Sequence, residues 1–212
     1  MILQISILII FLAAVFLNAI KRNLTAVSLY AFQSLAVSAV LLYYFFENRS
    51  WLLLFVIILT FAVKSIIAPL FLSRLIKKHH LKYSASTYLN IPLTLLAVTA
   101  LTVIAHSGIF SSLTKIAGEA QNMAAIAIAV ILISFFLIIN RKGIISQMIG
   151  VLSLENGIVF FAIFSGLEQA PGLQIGIIFN IFIWIMIASV FVSMIYRQFG
   201  TLDSTEMKLL KD

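Results

Sequence analysis

Two charged side chains stand where charge is expensive. Lys64 interrupts an apolar run over 51–73 and Glu155 one over 144–166. In a membrane-centred helix each costs about 2.5–3.5 kcal/mol, and such residues usually face a bundle interior or a water-filled cavity. Counting from the flanking Arg74 and Gly143 at about 1.5 Å per residue sets Lys64 about 15 Å and Glu155 about 18 Å deep. The two therefore lie at similar depth. One reading is that each pairs with a partner and fixes helix packing. The other is a proton path, since both side chains can gain or lose a proton and burial brings that exchange near neutral pH.

Other polar side chains punctuate the apolar runs: Gln33 and Ser34, Gln147, Ser153 and Asn156, Asn180, and His106. Each can make an interhelical hydrogen bond, and His106 is the best of them as a proton relay. Pro69, five residues after Lys64, removes a backbone donor and crowds the carbonyl of Ser65. A helix irregularity beside the buried lysine is expected. The sequence offers no phosphate-cradling Gly-rich loop, no Ser/His/Asp set, no metal-ligand cluster and no cysteine. Disulfides and thiolate-held iron–sulfur clusters are thereby excluded, and an independent enzyme is not expected.

The elements that must hold these residues follow from composition. Of 212 residues 63% are hydrophobic and 10% charged, with a mean hydropathy of +1.16. A soluble domain carries about 25% charged residues, so lipid must solvate most of this surface. At about 20 residues per crossing, the runs define an all-α integral membrane protein of about seven helices. They cover 2–20, 24–46, 51–73, 90–112, 122–140, 144–166 and 173–196, with a short tail at 197–212, and form one transmembrane domain. Lys21 and Arg22 follow the first run rather than precede it, as expected of an uncleaved first helix.

Charge gives the direction. With the N-terminus outside, 11 of the 14 basic residues fall on the inner side and only Arg49 and Lys115 outside. That asymmetry predicts an N-out, C-in chain. The formal net charge of +7 is thus topological, and no nucleic-acid partner is expected.

The stretch Gln147-Met148-Ile149-Gly150-Val151-Leu152-Ser153-Leu154-Glu155-Asn156-Gly157 resembles the Glu-Asn-Gly signature of the hydrogenase-4 component E family. Tyr30-Ala31-Phe32-Gln33-Ser34-Leu35, Lys64 with Pro69, and the ending Gly200-Thr201-Leu202-Asp203 are similar to the same family. Spans 122–196 also resemble the K subunit of respiratory complex I. In that subunit the acid follows the glycine by two residues, whereas Glu155 follows Gly150 by five. The K subunit's second buried glutamate has no counterpart, the last span offering Asn180.

The resemblance implies a non-catalytic, multi-pass subunit in the membrane arm of a complex I-like, ion-translocating redox complex of the hydrogenase-4 or formate hydrogenlyase type. It implies a place in the cell inner (cytoplasmic) membrane and no cofactor in this subunit. Its partners would be antiporter-like and K- or J-like subunits, a peripheral redox arm, and lipid. Within it, Glu155, Lys64 and His106 are the proton-path candidates, with Asn156, Gln33, Asn180 and Ser153 in support. A purely structural assembly subunit and a stand-alone transporter are the alternatives.

Overall fold

The computed structural model describes residues 2–48, 51–84 and 86–166, with scattered positions between 175 and 193. Among these residues the chain is helical, and no strand is formed beyond two isolated bridges. The helices are α1 (Ile2–Ala19), α2 (Asn23–Asn48), α3 (Trp51–Thr60), α4 (Ala68–Lys78), α5 (Ile91–Ala105), the single turn α6 (Ser111–Thr114), α7 (Gln121–Asn140) and α8 (Ile144–Phe164). A π-helical segment, Phe61–Ile67, joins α3 to α4 without a break.

Among the described residues four helical stretches are long and apolar enough to cross a membrane: Asn23–Phe46, Ile57–Lys78, Ile144–Phe164 and Gly108–Asn140, whose unbroken part is the 20-residue α7. Two more apolar helices are shorter. α5 has 15 residues, about 22 Å at helical rise, against a hydrocarbon core of about 30 Å. The span expected over 90–112 therefore ends early, at Ala105. His106 caps it, and the Ser107 hydroxyl accepts from the Ile109 N–H to start a 3₁₀ turn in its place. Gly118, at φ 53°, then turns the chain before α7, a conformation that suits glycine because it lacks a Cβ. The expected last span, 173–196, falls largely outside the described residues, and the tail 197–212 wholly so.

α7 and α8 form a close antiparallel pair, and α1 and α2 pack beside them. Gly150 and Gly157 permit the α7–α8 approach. A Cβ on Gly157 would lie 3.0 Å from Cγ1 of Ile131 and 3.2 Å from its backbone nitrogen, and one on Gly150 only 2.8 Å from Cγ1 of Ile138. Small residues at such contacts are how helices associate where lipid removes the hydrophobic drive.

Three loops meet at one end of the bundle. The Ser84 N–H donates to the Lys21 carbonyl, the Lys142 N–H to Ser86, and the Tyr88 N–H to Asn140. The loop 79–90 thereby stitches the α1–α2 turn to the α7–α8 turn. Asn23 donates through Nδ2 to the carbonyls of Leu81 and Tyr83, and the Asn140 carboxamide accepts from the Leu89 N–H and donates to Thr94.

The interior is layered. One apolar cluster near the stitched end joins Leu17, Tyr30, Leu72, Ile76, Ile145 and Ile149. A second, toward the other end, joins Ile10, Val37, Leu41, Val130, Phe160 and Ile163. Between them along α2 come Gln33 and Ser34, and between them along α8 come Ser153, Glu155 and Asn156, all buried. A polar layer thus lies midway through an apolar bundle.

Candidate functional site

The layer is built from four elements. α2 supplies Gln33 and Ser34, the π segment Lys64, α7 Ser134, and α8 Ser153, Glu155 and Asn156. Lys64 sits near the centre of the continuous helix Trp51–Lys78, and Glu155 near the centre of α8. The lysine lies within a seven-residue π-helix, and the Ala68 N–H bonds the Val63 carbonyl five residues back. The cause is local. In α register the Pro69 ring would crowd the Ser65 carbonyl and leave it without a donor, and the wider turn relieves that conflict. Segments of this kind recur at functional sites.

Lys64 Nζ lies 3.7 Å from Glu155 Oε1 and donates to Asn156 Oδ1 at 3.3 Å. The carboxamide of Asn156 donates in turn to Gln33 Oε1 at 3.3 Å and Ser34 Oγ at 3.1 Å. Gln33 passes the chain on to the Ile10 carbonyl at 3.3 Å. Asn156 is therefore the node: its oxygen faces the lysine, and both amide protons are used. Beside it the Ser134 and Ser153 hydroxyls share a hydrogen bond of 2.8 Å.

Glu155 differs from its neighbours. At 3.7 Å its contact with Lys64 is an ion pair without a hydrogen bond, and Oε1 is buried without a hydrogen-bond donor among the described residues. Its side chain is 12% exposed and that of Lys64 0%. Of the pair, the glutamate side chain borders the surface and the lysine does not. Replacing one partner of such a pair strands the other, whose charge has then lost its compensation.

Two of the remaining candidates lie elsewhere. His106 is exposed at the C-terminal end of α5, its Nδ1 2.9 Å from the Thr102 carbonyl of its own helix, and the structure does not bring it to the layer. Gln147 donates to the Arg141 carbonyl near the stitched end. Asn180 lies outside the described residues. Among the described residues no group of three His, Cys, Asp or Glu side chains could hold a metal ion.

One residue was read from sequence only as a topological charge. Arg141 is 2% exposed, and its Nη2 reaches the carbonyls of Leu17 at 3.1 Å, Asn18 at 2.9 Å and Ile20 at 2.6 Å, while Nη1 donates to Ser84 Oγ at 3.3 Å. These carbonyls end α1, so a cation from the α7–α8 turn caps the negative end of another helix. Burial lowers the proton affinity of the guanidinium, yet an arginine stays charged in proteins. A basic residue in a short loop gives no sequence sign that it folds inward.

Residues 122–212 match the family of NADH-ubiquinone/plastoquinone oxidoreductase chain 4L. The matched region contains α7, α8 and Glu155, and its last part extends beyond the described residues. With the apolar helices, it supports a multi-pass membrane protein and a membrane subunit of a complex I-like redox complex. The chain is also 27% identical over 194 residues to uncharacterized protein Rv0085 of Mycobacterium tuberculosis, covering 91% of this chain and 88% of that one. No solved structure matches the chain.

Proposed function

We propose that the chain is a non-catalytic membrane-arm subunit of a complex I-like, ion-translocating redox complex of the hydrogenase-4 or formate hydrogenlyase type. In it Glu155 and Lys64 carry protons across the middle of the membrane. The observation that carries this reading is the buried pair itself: Lys64 Nζ and Glu155 Oε1 are 3.7 Å apart within an apolar bundle. Glu155 Oε1, which has no hydrogen-bond donor among the described residues, is the atom that would take the proton. The Asn156 carboxamide, held by Gln33 and Ser34, keeps the lysine beside it.

Protonation of Glu155 would remove the partner charge from Lys64. In a low-dielectric interior such a change acts over a longer range than in water. Glu155 is the partly exposed member of the layer, so an ionisable group of an adjoining antiporter-like or K- or J-like subunit would meet it there. The inner membrane is the expected setting, with the N-terminus outside and the stitched, basic end on the cytoplasmic side.

The test is Glu155→Gln in the intact complex, with proton movement measured during electron transfer in inverted vesicles. The glutamine keeps shape and cannot titrate, and combining it with Lys64→Met leaves no charge stranded, so that double variant should still assemble on blue-native gels while coupled proton movement falls. Normal assembly with unchanged coupling refutes the proton path. Loss of the assembled complex instead favours the alternative, in which the pair holds helices or subunits together.

A further inference from the structure

Beside the stitched end a pocket of about 470 Å³ opens between the start of α2 and the end of α4. It is lined by Arg22, Lys77, His80 and Lys82, over Leu24 and Ile76. We infer that this pocket binds the phosphate headgroup of an anionic phospholipid, with the acyl chains running down past Leu24 and Ile76.

Four features converge there. Arg22, Lys77 and Lys82 are exposed, while Ile76 is buried and Leu24 half-buried, so the pocket is cationic at its rim and apolar at its base. That pairing suits a lipid at the end of a membrane span, where headgroup meets hydrocarbon. Second, among the described residues no acid neighbours these cations in sequence: no Asp or Glu occurs in residues 1–46 or 48–118. Third, the first turn of α2 borders the pocket through Leu24, and the leading amides of a 26-residue helix carry partial positive charge.

The fourth feature is how the pocket is shaped. The Leu81 N–H bonds the Ile76 carbonyl at 2.9 Å and the His80 N–H bonds Lys77 at 3.3 Å, which is the Schellman ending of a helix. His80 takes the left-handed position, at φ 55°, where glycine is usual. The reversal sends the chain back across α4, so that the Lys82 carbonyl meets the Asn23 N–H at 3.4 Å and Lys82 stands opposite Lys77. A non-glycine residue in this conformation is uncommon, and here it puts an imidazole in the pocket wall.

The experiment uses the full-length chain, delipidated in an uncharged detergent and titrated with phosphatidylglycerol, with bound lipid counted by native mass spectrometry. Phosphatidylethanolamine and excess inorganic phosphate form the comparison arms. Wild type should retain one tightly bound phosphatidylglycerol that inorganic phosphate does not displace, and bind phosphatidylethanolamine weakly. Each basic residue near a lipid surface contributes about fivefold in affinity, so Arg22→Ala should weaken binding by about that factor and Arg22→Ala with Lys77→Ala by about 30-fold. Lys115→Ala, which removes one charge from the opposite end, should leave binding unchanged. The inference is overturned if the Arg22 and Lys77 variants bind like wild type, or if Lys115→Ala weakens binding as much as Arg22→Ala. Full displacement by inorganic phosphate also overturns it and assigns the pocket to the free anion. A wild-type chain that takes up neither lipid nor phosphate overturns it in favour of an acidic partner segment.

Discussion

Replacing Arg141 tests whether the stitched end is a structural clasp. Its Nη2 is within 2.6–3.1 Å of three carbonyls from the end of α1, but one terminal guanidinium nitrogen carries two protons, so three contacts amount to two full hydrogen bonds. Hydrogen bonds to a charged group are worth about 1.5–3 kcal/mol each. At the lower end, suited to carbonyls that can reach water once the arginine is gone, Arg141→Ala should cost about 3 kcal/mol. Arg141→Lys keeps the charge near the α1 terminus but loses the planar fork, and should cost about half as much. The measurement is SDS-induced unfolding of the full chain in mixed micelles, followed by circular dichroism. Protease sensitivity of the 79–90 loop gives a local readout, since that loop is tied to both turns. Arg141→Ala within 0.5 kcal/mol of wild type, about the scatter of a surface substitution, with an unaltered cleavage pattern, would refute the clasp.

Two further outcomes follow from the packing and the polar layer. Gly157→Ala sets a methyl 3.0 Å from the Ile131 side chain and 3.2 Å from its backbone nitrogen, and should destabilise the α7–α8 pair by about 1–3 kcal/mol. Gly108→Ala, which meets nothing within 4 Å, should be neutral in the same SDS titration; equal effects from the two would show that close approach is not what Gly157 provides. Asn156→Leu removes the bonds to Lys64, Gln33 and Ser34. Side-chain hydrogen bonds inside a membrane average about 0.6 kcal/mol, so a total near 2 kcal/mol is expected, together with reduced coupled proton movement. A variant with wild-type stability and wild-type coupling would remove Asn156 from the node.

Much of this molecule was legible as composition. Apolar runs of about 20 residues leave the backbone no partner but itself, so helices are the outcome for a spanning chain without strands. The limits of α2, α7 and α8 lie within about two residues of the apolar runs, because Lys21-Arg22-Asn23 and Asn140-Arg141-Lys142-Gly143 break them sharply. α5 shows where this fails. Its apolar run continues past Ala105, but the Ser107 hydroxyl bonds the Ile104 carbonyl and the Ile109 N–H, and this local hydrogen bonding ends the helix earlier.

The depth of Lys64 and Glu155 could also be counted along the chain, since rise per residue is constant. Their contact could not. Helices that are apolar nearly all round, such as α7 and α8, carry no face that marks which side meets a neighbour. The angular position of each side chain, and the order of helices around the bundle, are therefore set by packing. Only tertiary structure brought α2 against α8 so that Asn156 links Gln33 and Ser34 to the lysine. Only tertiary structure folded Arg141 inward onto α1. The sequence by itself determined that two charges would lie at one level in an apolar chain, because length and hydropathy are properties of the chain alone. That they lie 3.7 Å apart, with the glutamate side chain partly exposed and the lysine buried, was decided by helix packing and by the π turn before Pro69.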